Sequence, residues 1–186
     1  MMTASPGGGA EQVRATFASA VEAGLRAESV RGASDAEIDA MAEDQRARAV
    51  PAAAREVLRL IGTTHGLWLP GSSLGVAAVR GEAKNHAVAT ANAQNAELSD
   101  VDGALVLAAH GGYTYHVVDG ADAEQDDPQV WLLTEDEPAR VAWPSVSAWF
   151  KAITPDVERY RERLEIMRET GSDFLPPWAQ DITVGG

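Results

Sequence analysis

Gly71-Ser72-Ser73-Leu74-Gly75 satisfies G-x-S-x-G, the pattern that holds a nucleophilic serine on a strained strand-to-helix turn. Asp100 or Asp102, then His110 or His116, follow in the Ser, Asp, His order of an α/β-hydrolase. The surroundings do not fit that chemistry. Pro70 directly precedes the pattern, and the stretches of strand character come consecutively after it. The elbow needs a strand running into it, within a parallel sheet whose strands alternate with helices. Five positions of Gly and Ser are also easily met by chance. Ser73 therefore reads as a loop or helix-cap residue, with a serine hydrolase using it as a distant alternative.

Metal chemistry is no better supported. The histidines are His65, His86, His110 and His116, and none forms the H-E-x-x-H spacing that puts two ligands on one helical face. His110 and His116 flank a turn and could approach each other across it. The acidic stretch from Asp122 has Asp127 at its sixth position, where a calcium loop needs Gly, and Leu133 at its twelfth, where it needs a bidentate Glu. There is no G-x-x-x-x-G-K-[ST] and no G-x-G-x-x-G, so a nucleotide site is unsupported. With no cysteine, disulfides, thiol catalysis and cysteine-ligated zinc fall together. No nucleophile, base and orienter assemble, so the expectation is a non-enzyme with no catalytic residue, cofactor or metal.

Composition places those residues in an ordinary folded domain. Of 186 residues, 45% are hydrophobic and 23% charged, enough apolar material for a core. No run approaches the ~18 uninterrupted apolar residues of a spanning helix, and Met1 to Gln12 lacks the basic start and apolar run of a secretory signal. A cytoplasmic protein without a membrane partner is expected. A net charge of −13 argues equally against nucleic acid. That charge is uneven. Residues 85–139 contain no Lys or Arg but hold Glu97, Asp100, Asp102, Asp119, Asp122, Glu124, Asp126, Asp127, Glu135, Asp136 and Glu137. Those eleven leave 17 acids against all 15 basic residues elsewhere. Such loops either solvate a domain or form a face for a basic partner, whose approach they would accelerate.

The elements that must carry these residues follow from pattern. Residues 1–10 are Gly-rich and read as a disordered leader, with one domain over 11–186. Val13, Phe17, Val21 and Leu25 make one helical stripe. Ser34-Asp35-Ala36-Glu37 is a capping box ahead of Ile38 and Met41. Pro51 opens a third helix with Val57, Leu58 and Ile61 inward, and Gly62 reads as its left-handed stop. Leu74 to Ala96 suggests helix, interrupted at Gly81. The period then changes. Ala104–Ala109 and Tyr113–Val118 read as a hairpin about His110-Gly111-Gly112, followed by strands over Gln129–Thr134 and Ala139–Trp143. Short connections make these neighbours antiparallel. Ser145 starts a helix bearing Trp149 and Phe150. Thr154 and Pro155 then open a last one with Val157, Tyr160, Leu164 and Met167 inward, stopped by Gly171. Phe174 to Trp178 should fold back as an apolar clasp. The fold class expected is α+β, a mainly antiparallel sheet of about four or more strands packed by helices from both ends of the chain.

On alternating strand geometry Tyr113 and Tyr115 share one face while Thr114 and His116 share the other. One face packs on helices, and an antiparallel sheet permits the second to stay open. The tyrosines and Trp131 are then either core or, with the acidic loop, interface anchors.

Three stretches together resemble the SUKH superfamily, the Smi/Knr-like group. Ser34-Asp35-Ala36-Glu37-Ile38, Val50-Pro51 and Arg55–Gly62 are similar to its "S-x-x-E-I … L-P … y-x-x-f-L-x-x-x-G" opening. Gly103 to Trp131, with Tyr113-Thr114-Tyr115 and Pro128-Gln129-Val130, is similar to its central hairpin and "P-V" strand. Ser145 to Phe150 looks like its "s-F-x-x-w-L" closing helix. The likeness spans roughly residues 34–153, whereas Ser72–Asn95 and the helical extension beyond Thr154 depart from the short family core. The resemblance implies an α+β fold without catalytic residues. Its bacterial members look like immunity proteins that neutralise a toxin, often a nuclease, and its yeast members like regulators of cell-wall synthesis. The expectation is an immunity-like protein for a toxin with a basic surface, contacted through Tyr113, Tyr115, His116, Asp119, Asp122, Glu124, Asp126 and Asp127. A regulatory scaffold on the same fold is the alternative.

Overall fold

The computed structural model describes residues 8–184. It has six α-helices and one five-stranded antiparallel sheet, an α+β architecture as expected. The first helix, α1 (Gly9–Glu22), starts inside the segment expected as leader, and residues 1–7 lie outside the described residues. Its Val13 is buried, and Phe17 stacks on Trp68, which stacks in turn on Phe150, with 5.7 Å between successive ring centroids. In α2 (Asp35–Asp44) the capping box forms: Ser34 Oγ accepts from the Glu37 amide, and the Glu37 carboxylate accepts from the Ser34 amide. Both spare donors at the helix start are thereby satisfied. Pro51 is the N-cap of α3 (Ala52–Ile61), not its first helical residue. Gly62 is not left-handed (φ −71°); glycine is needed because a Cβ there would lie 2.3 Å from the Leu58 carbonyl oxygen.

The middle segment splits into β1 (Ser73–Leu74), a turn, and α4 (Gly81–Ala93). Two residues are too short for any periodicity to register, so β1 is legible only from its pairing with Ala108 and Ala109. β2 (Leu105–His110), β3 (Thr114–Val118), β4 (Val130–Thr134) and β5 (Arg140–Trp143) follow as a meander, each antiparallel to the last. Gly111 (φ +61°) and Gly112 (φ +78°) turn the β2–β3 hairpin in a conformation that a side chain would strain. β2 is buried from Leu105 to Ala109 because a bulge near Leu107 and cover on both sides leave it no wet face.

Neither side of the sheet is open. Ala87 and Val88 of α4, with Leu98 and Val101, pack on Val106, Val117 and Leu133. Against the other side lies α5 (Val146–Ile153), with α1 and α3 packed on it in turn. The last helix, α6 (Val157–Glu169), begins later than expected. Asp156 caps it through the Arg159 amide, whereas Thr154 closes α5 by donating to the Phe150 carbonyl at 2.7 Å. Gly171 (φ +73°) ends α6 as expected. Of the expected clasp, Trp178 folds back onto Tyr160 while Phe174 and Leu175 stay exposed.

Candidate functional site

Ser73 sits on β1 opposite Ala109, and among the described residues it makes no hydrogen bond to a histidine. Ser72 is the serine that meets one: its Oγ is 2.9 Å from His110 Nδ1, at the point where the Ser72 turn crosses the end of β2. The Tyr113 ring stands edge-on to His110 at 6.2 Å. Among the described residues no carboxylate bonds the far side of His110, so no orienter that would fix a base is seen there. Among the described residues no three His, Cys, Asp or Glu side chains converge as a metal set would. His65 bonds the Trp68 carbonyl, His86 is exposed on α4, and His116 faces Trp149.

The eight expected contact residues separate into buried and exposed ones, and the expectation of exposure is corrected for those that are buried. Tyr115 is 1% exposed, and its hydroxyl donates to the Gly112 carbonyl at 2.5 Å; it is core, because its face of the sheet is roofed by α4. Burial pushes its hydroxyl pKa up. His116 lies under α5, where Trp149 Nε1–H donates to its Nδ1 at 2.9 Å and the Trp143 ring packs at 4.8 Å. Burial pulls the imidazole down to about 4, so it is neutral near pH 7 and unsuited to an exposed contact. Asp119 is 4% exposed and accepts from the amides of Ser99, Asp100 and Ala121. Asp127 receives the Ser147 amide at 2.8 Å and the Ser147 hydroxyl at 2.5 Å, at the start of α5. Both carboxylates fasten loops to helices or strands. Asp122 is half-buried and accepts from Gln125, leaving Glu124 and Asp126 as the exposed loop acids.

Tyr113, by contrast, is 48% exposed at the hairpin turn. The acids at its end of the sheet are not those nearest in sequence. Strand β3 carries the chain away from Tyr113 to the loop of Asp119–Asp127, whereas the pairing of Thr114 with Thr134 brings Glu135, Asp136 and Glu137 to the Tyr113 end. All three are exposed. Sequence reasoning counted them in the acidic window but did not join them to Tyr113, because only strand register makes that link. Among the described residues, Asp100 alone of the eleven window acids enters an ion pair, with Arg48 at 2.6 Å.

A second feature had no signal in the motifs. Arg46, Arg48, Lys84, Asn85, Val88, Asp100, Asp102 and Gly103 line a cleft of about 580 Å³ between the end of α2 and the start of β2. Lys84 is 2% exposed at its floor, and its ammonium donates to the carbonyls of Gln45 (3.1 Å), Asp102 (2.9 Å) and Ala104. Burial first, and Arg46 next, lower its pKa to about 8. Beside it Gln45, 0% exposed, uses its amide as a strand would: Oε1 accepts from the Val106 amide at 2.8 Å and Nε2 donates to the Val106 carbonyl at 3.1 Å. In three comparisons, no family model, no curated protein and no solved structure matches this chain.

Proposed function

We propose that the protein is a non-enzymatic binding module of the SUKH type, an immunity-like protein that neutralises a toxin with a basic surface, such as a nuclease, in the cytoplasm. One observation carries the reading: an exposed tyrosine, Tyr113, at the same end of a five-stranded sheet as three exposed carboxylates, Glu135, Asp136 and Glu137. An aromatic ring supplies contact area at small entropic cost, and unpaired carboxylates at the same end draw in a cationic partner from a distance. Glu124 and Asp126, at the opposite end of β3, form a separate and smaller acidic spot. The SUKH assignment itself rests on the three sequence stretches between residues 34 and 153.

The test is capture from an extract of the native cell on immobilised parent protein and on a Glu135→Lys/Asp136→Lys/Glu137→Lys variant. A basic protein retained by the parent and lost by the variant supports the reading. Capture indifferent to the reversal sinks it. With the partner in hand, the variant should associate at least ~10-fold more slowly at low salt, with a flatter salt dependence. The same reversal at Glu124 and Asp126 should leave both quantities near the parent's.

A further inference from the structure

We propose that the cleft beside Arg46 is an anion site, taking a small ligand that carries a phosphate or a carboxylate group. It is separate from the acidic surface described above. Four helices of this chain end with the same pair of backbone bonds, in which the residue after the cap turns left-handed. In α1 that residue is Gly24 (φ +116°), in α6 Gly171 (φ +73°) and in α4 Asn95 (φ +50°), the residue types that tolerate the turn. In α2 it is Arg46 (φ +53°), with the Arg46 amide bonded to the Glu43 carbonyl and the Ala47 amide to the Ala42 carbonyl. Leu69 (φ +44°) is left-handed elsewhere, but its side chain packs against the core. Arg46 is exposed, and among the described residues its guanidinium hydrogen-bonds only the Asn85 Oδ1, at 3.2 Å.

The charges in the cleft are mixed: Asp100 and Asp102 on its wall attract the buried Lys84, and Arg46 repels it. Burial is the main cause of the lowered Lys84 pKa, and the charge of Arg46 is the next. Arg48 is already neutralised by Asp100, and Lys84 has all three of its protons on carbonyls. Arg46 therefore supplies free donors while Lys84 supplies field from below. An anion between them would relieve the repulsion and use the guanidinium that the strained backbone presents. Val88 offers an apolar wall to whatever carries the charged group.

Isothermal titration with inorganic phosphate, and separately with malonate, at constant ionic strength, tests this on the full chain and on Arg46→Gly. Saturable binding of one or both is expected for the parent. Phosphate alone would assign a phosphorylated ligand, and malonate alone a carboxylate. Arg46→Gly should bind at least ~10-fold more weakly while melting at the same temperature or higher, because glycine accepts the left-handed turn freely. Absence of saturable binding of either anion to the parent overturns the proposal, as does equal binding by Arg46→Gly. A lower melting temperature for Arg46→Gly also overturns it, since the arginine would then be held for the fold.

Discussion

His116 shows how burial sets a protonation state and how a hydrogen bond is fitted to it. Its Nδ1 accepts from Trp149, so the neutral ring is the form that fits, and a proton on that nitrogen would face a donor. The folded-state value of about 4 lies below the ordinary 6.5. Between those pH values the unfolded chain binds the proton and the native one does not, so stability falls as pH drops through 6.5 and levels off below 4. The full linkage is about 3 kcal/mol. Urea denaturation of the parent and of His116→Gln at pH 7 and pH 4.5 checks this: the parent should lose more stability than the variant, and equal losses would refute it. Gln45 offers a second test. Gln45→Leu fills similar space but leaves the Val106 amide and the carbonyls of Val106 and Val79 without partners, for an expected loss of about 3 kcal/mol or more in the same assay.

The acidic loop between β3 and β4 behaves as two sets of residues, although its composition presents one. Asp119 gathers the Ser99, Asp100 and Ala121 amides, and Asp127 closes the open end of α5, where a carboxylate also meets the helix dipole. Asp119→Ala and Asp127→Ala should each cost about 2 kcal/mol in chemical denaturation, from the loss of charge-assisted hydrogen bonds to part-buried donors. Glu124→Gln and Asp126→Asn should stay within about 0.5 kcal/mol of the parent. Four equal effects would refute the division. Much of the element order was legible before any coordinates. The capping box at Ser34, the His110-Gly111-Gly112 hairpin, Ser145 at the head of α5 and the Gly171 stop are local signals with local causes. What escaped depended on tertiary partners. β1 exists through its pairing with β2, Gly62 serves a close approach, and α6 starts at Asp156 because Thr154 turns back to bond Phe150. The burial of Tyr115 and Asp119 escaped for the same reason. Tyr115 and Asp119 look available in a polar, aromatic stretch, but α4 roofs the one and three amides surround the other. The acids at the Tyr113 end of the sheet arrive through strand register from Glu135–Glu137, more than twenty positions on.

At the scale of the molecule, a net charge of −13 on 186 residues opposes compaction through mutual repulsion. Raising sodium chloride from 10 to about 500 mM should therefore raise the melting temperature by several degrees, as screening shortens the range of that repulsion. A lower or unchanged value would show that the ion pairs of α2, α3 and α6 outweigh it. The architecture also bears on self-association. The two flanks of the sheet are finished differently: β1 contributes two residues and the Gln45 amide takes both Val106 backbone groups, whereas β5 ends the sheet with a four-residue strand between Pro138 and Pro144. A side chain standing in for a strand cannot serve as a template for the next one. Stacking of copies through their backbones would therefore stop at a pair joined across β5, and the growth of an open-ended fibril from the native state has no second surface to use.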